Sequence, residues 1–402
     1  MSRLPSQLQP LWPLVKRAHR ATTRATGAVT RPAARFGGQR SVPASATTTV
    51  AETQALEPAS TRIHAGGDAE ALRRAVPTGS PSNHWVFEWR SRYDVRPRMV
   101  LDLDDGMVVG TYAATVTAGG RLDYETSGYF GISNWREHPI YLRPRLPEPE
   151  SFDGTLAVLA AAGSSANYFH FVTDVLPRWG LLQECLPGFR PDAAYLNTGS
   201  RYQRELLAML GLDDLTTIEP ANQRAVRGKR LLVPSLPNPD LMAPTWTMNW
   251  LKSALPAQNT ADLPKRLYLT RGDAKNTRRL NDENQHWLAL EKHGFVSFDP
   301  GKHSVREQID HFAAAEAVVA PHGAALTNLA FANPGLRLLE LFAPDYVNPC
   351  YWTMATQIPD SRYRYLVGSG RVPKAHSEMT GVLTDIEIPV AAFEAALEDL
   401  LA

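Results

Sequence analysis

The sequence predicts an α/β protein built from two doubly wound halves that face one cleft. Three observations carry this expectation. Beyond residue 151, short apolar runs alternate with helix-length segments, the rhythm of parallel sheets covered by helices. The chain has 402 residues, 44% of them apolar, enough core for two or three domains. A polar, Pro-containing stretch, LPAQNTADLPK at 255–265, reads as a linker between the halves. Ligands of such folds sit at the carboxyl ends of the strands.

The elements follow in chain order. Residues 1–61 read as a disordered basic tail, rich in Ala, Thr, Ser, Pro and Arg and poor in large apolar residues after Val15. Eight of the chain's 42 Lys and Arg lie in residues 1–40, where there is no Asp or Glu. All 41 acidic residues lie beyond, so the body is mildly acidic and a broad nucleic-acid face is not expected. Leu8, Leu11, Trp12, Leu14 and Val15, followed by cations, allow a second reading of the tail as a peripheral contact with an anionic membrane. A third is an organelle transit peptide. A secretory signal fits poorly, because Pro10 and Pro13 interrupt the apolar stretch. No run of 18 uncharged apolar residues is present, so a spanning helix is not expected. Cys185 and Cys350 are too few for a disulfide framework or a cysteine zinc site, and a reducing compartment fits.

Residues 62–150 read as a β-rich segment of short strands. Asp102, Asp104 and Asp105 precede Gly106 and are read as a hairpin turn with solvated carboxylates, not as metal ligands. Residues 151–258 read as an N-terminal half, with strands at 155–163, 193–197 and 229–234. Residues 259–370 read as a C-terminal half, with strands at 266–271, 295–298, 317–321 and 337–342. Residues 371–402 read as an extension ending in a helix.

Three constellations carry chemistry. The first is Asn167-Tyr168-Phe169-His170, continuing to Asp174 and Arg178, at a helix opening after a strand. His170 and Asp174 are four apart and share a helix face, so the carboxylate can orient the imidazole as a general base. An ordinary half-buried histidine, with Asp174 paired to Arg178 on the surface, explains the spacing equally well. Pro177 should kink or end the first part of this helix. The second is Arg271, Lys275, Arg278 and Arg279 after a strand, with Asn281 as the N-cap of the next helix. Concentrated guanidinium groups at a strand's carboxyl end suit a phosphate. The third is His322-Gly323-Ala324, a tight turn after a strand, leading through Asn328 to Asn333-Pro334-Gly335. Small residues there let an anion approach the first amides of a helix. Glu340 is the one acidic residue in the run 337–342 and needs a partner, either an internal Arg or a nucleotide ribose. The common phosphate-loop, dinucleotide, zinc-protease and serine-hydrolase motifs are absent.

In this order the three stretches resemble glycosyltransferase family 61, the capsular polysaccharide biosynthesis type. The family's Asn-Tyr-x-His-x-x-x-Asp-x-Leu-Pro-Arg segment is matched by Asn167 to Arg178. Its Arg-x-Leu-Asn-Glu segment is matched at Arg278-Arg279-Leu280-Asn281, with Asp282 in the Glu position. Its Gly-Pro-His-Gly-Ala segment is matched at Pro321 to Ala324, with Ala320 in place of the first Gly, and Asn328, Phe331, Pro334, Gly335, Glu340 and Leu341 follow. The resemblance covers roughly residues 95–370.

It implies a GT-B-like fold and an inverting transfer from a nucleotide sugar, usually a UDP-sugar, to a glycan or glycolipid acceptor. It implies no metal and no further cofactor. Arg271, Arg278, Arg279, Asn281, His322, Gly323, Ala324, Asn328 and Glu340 would then hold the nucleotide sugar, with Glu340 on the ribose. Asn167 and Tyr168 would face the acceptor, His170 would take its proton and Asp174 would orient His170. The Ala/Arg-rich composition fits a bacterial enzyme of surface polysaccharide synthesis. A nucleotide-sugar epimerase or hydrolase, or a non-catalytic binding protein, would share the phosphate cluster.

Overall fold

The computed structural model describes all residues except 1–7, 9–10, 35–37, 273–277, 376–377 and 380–382. Lys275 of the second constellation lies outside the described residues. The chain divides into two compact units, and it passes between them more often than the sequence suggests. The first unit holds residues 16–70 and 95–239. The second holds residues 71–94 and 240–402, with the start of the chain through Val15. The expected linker at 255–265 therefore lies inside the second unit. The helix before it, Thr245–Ala254, is tied to that unit by Lys252 Nζ donating to the Ala332 carbonyl at 2.6 Å.

The first unit is built on a ten-stranded mixed sheet. Its parallel part runs Ala225–Pro234, Pro149–Val158, Ala193–Tyr195 and Thr217–Ile218 in spatial order. The residues expected to form a separate β-rich segment complete this same sheet. Met99–Asp104 and Met107–Val109 both pair antiparallel with Ala225–Pro234, one after the other along it. The Asp105-Gly106 step is thus an interruption between two collinear strands, not a hairpin, with Asp105 at φ 52°. Leu101, Leu103, Leu156, Val158, Leu231 and Val233 bury one core of this unit.

Asp102 also departs from expectation. Its carboxylate is fully buried, not solvated. Arg62 and Arg230 each donate two hydrogen bonds to it, at 3.0 to 3.1 Å and 2.8 to 3.1 Å, and His64 Nε2 lies 2.8 Å away. Register explains this: Arg62 stands opposite Asp102 across one strand pair, and Arg230 arrives from the other side.

The N-terminal region, expected to lack structure, contains a helix at Trp12–Ala33, a strand at Ser45–Thr47 and a helix at Val50–Leu56. The long helix docks through contacts that a count of large apolar residues misses. Gly27 is buried, and a Cβ there would stand 3.1 Å from Tyr141 Cβ. The Arg31 guanidinium lies 5.0 Å over the Trp135 ring, and Arg24 pairs with Glu137.

The second unit is built on a six-stranded sheet in which every pair is parallel. Its order is Val296–Phe298, Arg266–Leu269, Ala317–Pro321, Arg337–Phe342, Arg362–Val367 and Thr78–Ser80. The last strand comes from residues 71–94, which the sequence reading placed in another domain. Val390–Leu401, read as an extension, belongs to this core: Phe393, Leu397 and Leu400 pack with Leu339 and Leu341.

Candidate functional site

Each unit gathers its chemistry at the carboxyl ends of neighbouring strands where the strand order reverses. That is where open parallel sheets leave a crevice for ligands.

In the first unit the Pro149–Val158 strand leads through a loop to a helix capped by Asn167, whose Oδ1 accepts from the Phe169 amide at 3.0 Å. His170 Nδ1 then lies 2.7 Å from Asp174 Oδ2. Asp174 Oδ1 accepts from Asn238 Nδ2 at 3.1 Å, and Thr173 Oγ1 lies 2.9 Å away. Asn238 follows the end of the Ala225–Pro234 strand, the neighbour of Pro149–Val158 across the reversal. With Nδ1–H engaged by the carboxylate, Nε2 is left as a proton acceptor. The imidazole packs against Phe130 at 4.8 Å between ring centres. Gly163, at φ 83°, makes room for it, since a Cβ there would come 2.8 Å from His170 Cδ2.

The first α-helical part ends before Pro177, as expected, but the chain stays helical through it. Residues Phe171–Val175 form a π-helical turn, and Leu176–Cys185 continues as α-helix. The wider turn accommodates the ring and the missing N–H of Pro177. The surface ion pair between Asp174 and Arg178 does not form. Arg178 is buried, and its Nη1 donates to the Val158 and Ala160 carbonyls at 3.3 and 2.6 Å. Burial lowers its pKa to about 10, against the opposing charge of Asp174. Tyr168 stands edge-on to Tyr202 at 5.3 Å.

In the second unit Arg271 follows the Arg266–Leu269 strand and His322 follows the adjacent Ala317–Pro321 strand. The His322 carbonyl accepts from Arg271 Nη1 at 3.3 Å and from Arg278 Nε at 3.2 Å. Gly323 has a steric role, because a Cβ there would fall 2.0 Å from Arg271 Nη1. Arg278 is buried, with its guanidinium 5.3 Å over the Tyr346 ring. Burial, and then the neighbouring charge of Arg278, lower Arg271 to about 10. An anion placed here would relieve that repulsion. Ala324–Phe331 follows as a 3-10 helix, whose first amides lack partners within it.

Glu340 is fully buried beneath His322. Its partners are neither an arginine nor an open ribose site. Oε1 lies 2.6 Å from His322 Nδ1, and Oε2 accepts from the Tyr363 hydroxyl at 2.7 Å. His322, Arg271, Arg278, Gly323 and Glu340 therefore come together, with Ala324 beside them in the chain. The remaining expected residues have structural partners. The Arg279 amide donates to Asp385 Oδ1 at 2.8 Å, and its Nη2 donates to the Gly272 carbonyl at 3.1 Å. Asn281 does not cap the next helix: its amide donates to the Ile386 carbonyl at 2.8 Å, and the helix begins at Glu283 after Asp282. Asn328 is buried and donates to Gln308 and Ala325. Sequence reasoning missed Asn238 and Tyr363. Asn238's only signal is its place just past a strand end, and Tyr363 stands in an ordinary-looking strand.

No curated protein matches the chain. The family model described as Glycosyltransferase 61 matches residues 168–339. That span includes His170, Asp174, Arg271, Arg278, His322 and Gly323, and it ends one residue before Glu340. With residues 168–339 matching that model, the chain is a transferase enzyme acting on glycans.

Proposed function

We propose that the protein transfers a sugar from a UDP-sugar to a hydroxyl of a glycan or glycolipid acceptor, with inversion and without a metal, on a GT-B-type pair of halves. The observation that carries this reading is the placement of Arg271 and His322 at the ends of two adjacent parallel strands where strand order reverses. Two guanidinium groups and the start of a helix there stabilise the charge of a leaving diphosphate.

The proposal assigns donor binding to the second unit and proton removal to the first. The acceptor hydroxyl loses its proton to His170 Nε2, and the imidazolium is stabilised by Asp174. The acceptor oxygen forms the new bond to the anomeric carbon as the bond to the diphosphate breaks. Negative charge then passes to the nucleoside diphosphate beside Arg271 and Arg278. The biological setting is synthesis of a capsular or extracellular polysaccharide in the cytoplasm. The exposed Leu11 and Leu14, with Arg17 nearby, support a peripheral membrane contact through the N-terminal segment.

The test is calorimetric titration with UDP, GDP, CMP and ADP, with and without EDTA. Tightest binding of UDP, unchanged by EDTA, is expected. Failure of every nucleotide to bind would overturn the reading.

A further inference from the structure

The carboxyl of Glu340 makes two hydrogen bonds, and neither partner is a Lys or Arg. Tyr363 can donate only its single hydroxyl hydrogen, which goes to Oε2 at 2.7 Å. His322 Nδ1 meets Oε1 at 2.6 Å. The pair can be arranged in three ways. A carboxylate can face an imidazolium, or accept from the Nδ1–H of a neutral ring. In the third, a carboxylic acid donates to the bare Nδ1 of a neutral ring.

The surroundings decide between them. Glu340 is fully buried and His322 nearly so. Phe342, Tyr346 and Tyr351 surround the imidazole, with ring centres at 5.2, 5.5 and 5.0 Å. Arg271 and Arg278 both bond the His322 carbonyl, so an imidazolium would be a third cation at the same point. Cys350 and Tyr351 also face Glu340, and both stay neutral. Burial and then the charges of Arg278 and Arg271 push His322 well below its ordinary value. Burial pushes Glu340 well above its own, against a hydrogen bond from Tyr363 and the charge of Arg278. Both directions favour the neutral arrangement.

We infer that Glu340 works as a neutral carboxylic acid, fixed by Tyr363, whose hydrogen holds His322 as the Nε2–H tautomer. Glu340 and Tyr363 are then positioning residues. They keep negative charge away from the anion site and make His322 a hydrogen-bond donor. That this donor serves a nucleotide phosphate rests on the function proposed above; the tautomer itself does not. This role departs from the ribose contact expected of Glu340.

The test uses the full chain and has two readouts. Nitrogen-15 NMR of histidine-labelled protein reads the tautomer without any ligand. His322 should show a protonated Nε2 and an unprotonated Nδ1, unchanged between about pH 5.5 and 8.5, where an unperturbed histidine titrates. An Nδ1–H tautomer or an imidazolium would overturn the proposal. The second readout is UDP affinity. Glu340→Ala should weaken binding about tenfold, the worth of one hydrogen bond to a charged group. Glu340→Gln can donate to Nδ1 and accept from Tyr363, so it should restore affinity to within about threefold. If Glu340→Gln binds UDP as poorly as Glu340→Ala while keeping the tautomer, the carboxyl contacts the ligand and the positioning role fails. Tyr363→Phe, a milder change, should give a mixture of tautomers, and an unchanged spectrum would remove Tyr363 from the relay. If the wild type binds no nucleotide, the proposed function fails and the spectrum still decides the tautomer.

Discussion

Arg278 donates from Nε to the His322 carbonyl at 3.2 Å, and it does so from a left-handed backbone at φ 44°. A non-glycine residue is strained in that region. That backbone carries a buried guanidinium to the side of Arg271, where the proposed anion site lies. Arg278→Ala should lower UDP affinity by about tenfold or more, because it removes a charge-assisted contact. Arg278→Gly should lose the same affinity but unfold at a higher temperature than Arg278→Ala, because glycine relaxes the backbone. Calorimetric titration and thermal unfolding of both variants separate charge from strain. Equal unfolding temperatures would count against the strain.

Gly323 is extended, at φ −176°, so its importance is steric and not conformational. A methyl group there meets the Arg271 guanidinium. Gly323→Ala should displace Arg271 and cost about tenfold in UDP affinity, with little change in unfolding temperature. A crystal structure of the variant with Arg271 unmoved would contradict this.

The His170–Asp174–Asn238 arrangement predicts a kinetic signature. His170→Ala should reduce transfer by about 10²–10⁴-fold, the usual contribution of a general base, with UDP affinity unchanged. Asp174→Asn should reduce kcat because it releases the imidazole tautomer, and Asn238→Ala should do so more mildly. A single-turnover assay with a UDP-sugar and acceptor measures each. Full activity of His170→Ala would move the base elsewhere.

Asp102 links stability to pH. Burial opposes its ionisation, but hydrogen bonds from Arg230, Arg62 and His64 outweigh that and hold it well below the usual carboxylate range. A depressed value in the folded state means its contribution is present above the unfolded pKa, about 3.9. The contribution is lost as pH falls below that value. Asp102→Asn should destabilise the protein by about 3 kcal/mol at pH 7, since it leaves two arginines without their shared carboxylate. The difference from wild type should shrink toward pH 3. Urea unfolding at both pH values checks it, and a pH-independent difference would refute the linkage.

Much of the site was legible because it is local. His170 and Asp174 meet because four residues make about one helical turn. Arg271 and His322 were placed at strand ends by the apolar runs before them. The seven strands read from the alternation all lie in the two sheets. Asn238, Tyr363 and the buried state of Asp102 were not legible. Each depends on partners far along the chain: Asp174 for Asn238, Glu340 for Tyr363, and Arg62, His64 and Arg230 for Asp102.

The sequence by itself determined the strand–helix alternation, the dyad spacing and the clustered cations, because periodicity and neighbouring residues fix them. Only the tertiary structure decided which segments share a sheet, that the Trp12–Ala33 helix docks through Gly27 and that Glu340 lies between His322 and Tyr363. Those outcomes are set by register and close packing between distant segments, and no local pattern encodes which distant side chain will fill a given space.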